Sequence, residues 1–357
     1  MPARATDGTC LAKLVRMATP ILRAAQTQCP RKGPGRQPEF AEWKIATLIM
    51  VAVLKKGKSK SAQYRYLWQH RTKLKRWLGL KHFPARSTYF KRYANAHRIL
   101  PTAIELQGRQ AIEEGLTTAK SVAIDKSLLG SRGRAGPGKK RRWQTKASQL
   151  RGVDRQADWG FSPYQGWTYG YSYEIMTTAD AGSVHLPLAA SADTANASEY
   201  VSCEPKLACL LQQTRYVLVD GGYDCNRFGD RVEWDEQGRR TGRRFICPRN
   251  RRTGKGRPKS WRTAIKERQA QARRWKRLDF YNSPCGRKLY AQRGQSVEPL
   301  HERLKSLFEL SRQAWHRGLG NNKTQLLSVI FCYQLLLRHN FRCGHRNAKV
   351  QWILECL

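Results

Sequence analysis

The sequence predicts an α/β protein, with a helical first third, a strand-rich middle and a helical end. Three observations carry this. Residues 40–54 are strongly apolar and free of proline, as suits a buried helix. Two short apolar runs, Ser121-Val122-Ala123-Ile124 and Tyr216-Val217-Leu218-Val219, each stop at an aspartate and read as strands. From Val297 onward apolar residues recur at spacings of three and four, at Val297, Leu300, Leu304, Leu307 and Phe308.

The 357 residues suffice for two domains, or for one large domain with extensions. Hydrophobic residues make up 40%, so a core can form despite a formal charge of +41. Such an excess of base calls for a polyanion, and nucleic acid is the commonest one. An anionic membrane is the rival. No run of about 18 apolar residues is present, so no spanning helix is expected. The N-terminus lacks the apolar core of a secretion signal. Ten cysteines are scattered without a CxxC pair, which favours free thiols in a reducing cytosol over a zinc site.

Residues 1–116 are expected to be helical. From Lys55 to Arg98 there are fourteen lysines and arginines and no acid, with Tyr64, Tyr66, Trp68, Trp77, Tyr89 and Tyr93 interleaved. Ser87 suits a cap, and a helix over 88–100 would present Lys91, Arg92 and His97. Short basic helices in series suggest a helix-turn-helix type of DNA-binding domain, with Arg86, Lys91 and Arg92 on the DNA. A solvated basic face on a helical bundle is the blander alternative.

The pattern changes near Lys120, so a second domain is expected over 117–310, with a basic segment at 225–290 and C-terminal helices over 311–357 packing on it. After the strand ending at Asp125 comes a basic, glycine-rich loop at 131–151, in which Lys139, Lys140, Arg141 and Arg142 would lie along a DNA backbone. Strands are expected at 167–177 and 184–190, a helix at 197–213, then the strand ending at Asp220 and a short one at 245–247. Residues 227–288 carry 21 basic and 6 acidic side chains and read as partly helical near 261–278. Trp261 and Trp275 are candidates for stacking on unpaired bases or for packing within the domain. A final apolar helix is expected over 326–339.

In a chain so poor in acid, the carboxylates are informative. Asp125 and Asp220 each end an apolar strand, the edge of a sheet where ligands gather. Glu298 opens an amphipathic helix, with Pro299 as a first-turn residue. If that helix packs beside the strand ends, three carboxylates converge. Oxygen-only ligation of this kind suits Mg²⁺ or Mn²⁺, and two such ions can activate a water or 3′-hydroxyl for phosphodiester chemistry. Taken singly, each aspartate also suits a turn or cap, and Glu298 suits a helix first turn.

The segment 290–305, YAQRGQSVEPLHERLK, resembles a signature of bacterial insertion-sequence DDE transposases: Tyr, two residues, Arg, three residues, Glu, six residues, Lys. Tyr290, Arg293, Glu298 and Lys305 carry it. The departure is that four residues, not three, separate Arg293 from Glu298. Val122-Ala123-Ile124-Asp125 and Val219-Asp220-Gly221-Gly222-Tyr223-Asp224 resemble the family's two aspartate strands. Asp158-Trp159-Gly160, Trp167–Tyr171, Ala195–Glu199 and Arg317-Gly318-Leu319 resemble stretches it carries around them. The resemblance covers roughly residues 35–340. It implies a ribonuclease-H-like mixed sheet flanked by helices, and strand cleavage and transfer at terminal inverted repeats. Asp125, Asp220 and Glu298 would hold Mg²⁺ or Mn²⁺, while Tyr290, Arg293 and Lys305 would contact phosphates. Glu302 is the fallback third carboxylate. Asp224 is read as a turn in preference to a residue that supports the site from behind, and His301 as a surface residue in preference to a ligand. The partner implied is double-stranded DNA, bound by a homodimer in a bacterial cytoplasm near the nucleoid, with no membrane. The alternative is a catalytically inactive, domesticated transposase that only binds DNA. A simple nuclease on the same fold would leave the basic N-terminal helices unexplained, and an RNA- or ribosome-binding basic protein the apolar, ordered middle and end.

Overall fold

A computed structural model describes residues 7–30, 38–138, 150–163, 165–250, 265–310 and 313–357. The helices of the first third are α1 (Asp7–Gln28), α2 (Glu42–Leu54), α3 (Lys60–Gln69), α4 (Arg71–Leu78), α5 (Arg86–Tyr93) and α6 (Leu100–Glu113). The middle holds β1 (Ser121–Gly130), β2 (Asp158–Ser162), β3 (Gly166–Thr178), β4 (Pro187–Thr194), α7 (Glu199–Leu207), β5 (Tyr216–Val219), α8 (Asn226–Glu233) and β6 (Arg244–Ile246). The chain ends in α9 (Ile265–Asn282), α10 (Pro284–Leu307), α11 (Leu319–Arg342) and α12 (Gln351–Glu355). The result is a mixed α/β fold, a curled mixed sheet flanked by helices.

The sheet runs β2-β3-β1-β5-β6, with β4 pairing on β3 as well. β1 and β3 are antiparallel, β3 and β4 likewise, and β5 and β6 run parallel to β1. Side chains alternate faces along a strand. Ala123, Leu218 and Ile246 therefore share one face, where they meet Val297 of α10 and the ring of Phe280 in α9. Asp125, two residues beyond Ala123, is carried on that same face. Lys126 and Glu174, paired across β1 and β3, point the other way, toward α7.

α11 is buried along most of its length, against α2, α6 and β4. Its Gln334 amide donates to the carbonyls of Ile104 in α6 (2.8 Å) and Pro187 in β4 (2.7 Å). Its Arg338, 2% exposed, pairs with Glu114 after α6. One continuous apolar cluster runs from Cys10 in α1 through the sheet to Leu357. All ten cysteines are unpaired thiols; Cys10, Cys203, Cys247 and Cys332 are buried, and Cys285 and Cys343 exposed.

Several elements differ from expectation. Ser87 is not a cap. The helix starts at Arg86 after extended Ala85 and stops at Tyr93, so His97 falls in a short 3-10 turn held by Thr324 of α11 (3.0 Å). Asp125 does not end its strand: the long partner β3 keeps β1 paired as far as Gly130. β4 is displaced toward the C-terminus, and α7 stops at Leu207. β2 was not anticipated. α10 begins thirteen residues before the expected Val297, capped by Ser283, whose hydroxyl accepts from Gly286 (3.1 Å). Pro299 is thus inside the helix rather than in its first turn. A proline there removes one helical N–H, and the carbonyl of Gln295, four residues back, is met by the His185 ring.

Candidate active site

The parallel register of β1 and β5 ends with Ile124 opposite Val219, so the next residues, Asp125 and Asp220, stand side by side. Asp220 leaves the sheet into a 3-10 turn, and one of its oxygens accepts from the Gly222 N–H (2.8 Å). The cap expected of an isolated aspartate is therefore present, but it engages Oδ1 and leaves the side chain 43% exposed. Glu298 stands exposed on α10 at the same place. All three expected carboxylates line one open cleft of 680 Å³, together with Lys126, Glu199, Arg293, His301, Glu302 and Lys305.

Counting that lining, five carboxylates (Asp125, Glu199, Asp220, Glu298, Glu302) face three cations (Lys126, Arg293, Lys305). The chain as a whole has 67 bases to 26 acids, so the cleft inverts the balance of the molecule. The consequences are visible in the acids. Burial, then the nearby Asp220, pushes the Glu199 carboxyl up to about 7. Burial also raises Asp220 above the ordinary aspartate value; Arg293 opposes this and Asp125 adds to it. Asp125 goes the other way. Burial acts to raise it, but the His301 hydrogen-bonding contact and the Arg293 charge outweigh that and hold it below the usual value.

Arg293 is where this chain departs from the family spacing. On a helix of 3.6 residues per turn, a position five before Glu298 is rotated by roughly 140° from it, whereas four before is only about 40° away. Arg293 consequently points at the sheet. Its guanidinium donates to Asp125 Oδ1 (2.7 Å) and lies 3.9 Å from Asp220. Gly294 holds the position one turn before Glu298, and a Cβ there would lie 3.7 Å from the glutamate oxygen. The expected phosphate ligand is instead an internal partner of the first aspartate.

Three participants went unrecognised in the sequence. His301 was read as a surface residue. It is 7% exposed, with Nε2 3.4 Å from Asp125 Oδ2 and Nδ1 3.2 Å from the Tyr173 hydroxyl. Its signal was available: it falls on the apolar stripe of Val297, Leu300 and Leu304. Glu199 opens α7 and crowds Gly222, where a Cβ would lie 2.5 Å from Glu199 and 2.9 Å from Asp220. A side chain at Gly222 would force these two carboxylates apart. Lys126 lines the cleft on the α7 side and donates to the carbonyls of Ala195 (3.3 Å) and Ala197 (2.6 Å), tying down the segment before α7.

The remaining candidates are dispersed. Tyr290 packs edge-on against Tyr281 (5.0 Å) beside the cleft, and burial pushes its phenol up to about 12. Arg86 and Lys91 are exposed on α5, with Arg86 over the Phe90 ring (5.2 Å), while Arg92 is half-buried. Lys139, Lys140, Arg141, Arg142 and Trp261 lie outside the described residues. Trp275, under Arg249 (5.5 Å), lines a separate hollow of 660 Å³ with Tyr281 and Arg287. Asp224 is more than a turn residue: it pairs with Arg274 through two bonds and accepts from the Asn250 N–H (2.9 Å).

An oxygen-only donor set with surplus negative charge has the chemistry of a hard divalent-cation site. As the side chains lie, no three of His, Cys, Asp and Glu among the described residues enclose a metal position, and Arg293 occupies one oxygen of Asp125. Compared with known proteins, the chain matches no family model and no curated protein.

Proposed function

We propose that this chain is a DNA transposase of the DDE type, cutting and joining the ends of a mobile element with Mg²⁺ or Mn²⁺. The observation that carries the reading is the acid-rich cleft in an otherwise strongly basic molecule. A chain built to lie on a polyanion has little use for five convergent carboxylates unless cations are to join them there. The strand order supports the finer fold reading too. A central β1 flanked on one side by antiparallel β3, which pairs antiparallel with β4 in turn, and on the other by parallel β5 and β6 is compatible with a ribonuclease-H-like sheet.

Asp125, Asp220 and Glu298 are the residues that would hold the metal, with Glu302 the fallback. The metal would supply activation of a water or 3′-hydroxyl and charge stabilisation at the phosphate. The protein's own part is to place the acids. The β1–β5 register juxtaposes the aspartates, the Gly222 N–H steadies Asp220, and α10 brings Glu298 across. Lys305 on the cleft wall and the exposed Arg86 and Lys91 are suited to phosphates. A homodimer on two DNA ends, in a bacterial cytoplasm, belongs to the same proposal.

One observation favours the second reading, a DNA-binding protein without catalysis. Arg293 already neutralises Asp125. The two readings separate in one experiment. Purified protein is incubated with DNA carrying the ends that flank its coding sequence, in Mg²⁺ or Mn²⁺ and in EDTA. The transposase reading expects nicking at the ends only with metal, and binding that weakens steeply with salt. Salt-sensitive binding with no cutting under any metal condition would leave only the DNA-binding protein.

A further inference from the structure

Asp125 is held from both sides. Arg293 takes Oδ1 at 2.7 Å, and the His301 ring stands 3.4 Å from Oδ2. Arg293 is a competitor for any cation, whereas His301 has no such conflict. It is buried between α10 and the sheet, edge-on to Tyr173 with ring centres 5.3 Å apart. Tyr173 lies opposite Ser127 across β1 and β3, one residue pair along the same face from Asp125 and its partner Ile175. Burial raises the Tyr173 phenol far above its ordinary ionisation, so the hydroxyl keeps its proton. The hydroxyl stands 3.2 Å from Nδ1; with the phenol as donor there, the ring is the tautomer that carries its proton on Nε2, the atom that faces Asp125. The Nε2 atom is buried and makes no hydrogen bond of good geometry in this arrangement, as its 3.4 Å separation from Oδ2 reflects.

We propose that His301 is a positioning residue, oriented by Tyr173, that fixes the Asp125 carboxylate for a divalent cation. The proposal rests on the reading of Asp125 as a metal-holding residue. It gives a chemical reason for a histidine on an apolar helix stripe, where a leucine would pack without leaving a buried polar nitrogen. Partners that orient a metal ligand from behind typically change affinity by about 10–100-fold when removed.

The test is Mn²⁺ binding to the full-length chain, followed by the spin-resonance signal of free Mn²⁺, with thermal melting of each variant alongside. His301→Leu is expected to melt near the wild type but to bind Mn²⁺ at least about 10-fold more weakly. His301→Gln, which keeps an N–H donor at the position of Nε2, is expected to recover most of the affinity. Tyr173→Phe is expected to weaken binding by a smaller factor in the same direction. A merely packing role predicts the opposite order, with Leu tolerated and Gln poor. Wild-type Mn²⁺ affinity in His301→Leu overturns the positioning role alone. Should the Leu variant not fold, Tyr173→Phe with unchanged Mn²⁺ affinity overturns it instead. A wild type that binds no Mn²⁺ overturns the underlying metal reading as well.

Discussion

Two acid clusters lie beside the same strands, and they are built differently. On the α7 face, Glu174 is buried with Lys206, both side chains 3% exposed. One of its oxygens accepts from Lys206 (2.8 Å) and the other from Ser202 (2.6 Å) and Tyr223 (3.0 Å). Lys206 in turn donates to Ser191 and to the Ser202 carbonyl, both at 2.6 Å. Charge and hydrogen bonds are closed. In the cleft, Asp125, Glu199, Asp220, Glu298 and Glu302 share three cations, and Glu199 is left with its carboxyl near 7. The closed cluster cements α7 to the sheet. The open one is short of positive charge, and the proposed metal site rests on that shortage.

The contrast can be tested by breaking each cluster in turn. The largest effect is expected from Lys206→Met, which strands the Glu174 carboxylate in the interior. Removing one partner of a buried pair typically destabilises by about 3–5 kcal/mol, measurable by urea unfolding, and added Mn²⁺ should not rescue it. Arg293→Met should cost about 2–3 kcal/mol without divalent metal, since it takes from Asp125 its guanidinium partner. Here Mn²⁺ should restore much of the loss; equal stability with and without Mn²⁺ would argue that the cleft takes no cation.

Glu199→Gln should act in the stabilising direction. A carboxyl raised from 4.5 to about 7 means that the folded state binds more protons than the unfolded state within that window. Stability therefore falls as pH rises through it. The variant lacks this loss and should exceed wild type by about 1–2 kcal/mol at pH 8, with no gain at or below pH ~4.5. Melting curves across that range check it, and a constant difference at all pH values would contradict the assignment. The smallest change is expected on the outer surface. Arg227, 69% exposed and paired with Glu204, should be replaceable by Ala within about 0.5 kcal/mol.

How much of this was legible in the sequence follows from where the information lies. β5 was read to the residue, because its apolar run is bounded by an aspartate and a turn. The two aspartates were legible for the same reason, but their being neighbours depends on a parallel register between residues nearly a hundred positions apart. β2 was missed because Asp158–Ser162 is short, with Trp159 and Phe161 its only apolar side chains, and is held by pairing with β3. The first half of α10 was missed because GRKLYAQRGQ shows no apolar stripe, and Pro299 looked like a beginning. That error hid Arg293 and Glu298 as residues of one helix, and with it the meaning of the extra residue between them. Glu199 and Glu174 could not be told apart by sequence. Only tertiary packing gives one a lysine of its own and leaves the other facing Asp220.

The central claim is that the cleft acids do chemistry while the basic surface does binding. The most direct measurement compares Asp125→Asn, Asp220→Asn and Glu298→Gln with a combined Arg86→Ala/Lys91→Ala variant, in strand cleavage and in DNA binding. The account predicts that each acid variant binds end DNA about as well as wild type yet fails to cut it in Mg²⁺ or Mn²⁺. The basic-surface variant should bind more weakly, with a shallower salt dependence, and still cut at saturating protein. Acid variants that cut as well as wild type, or a wild type that never cuts, would contradict it.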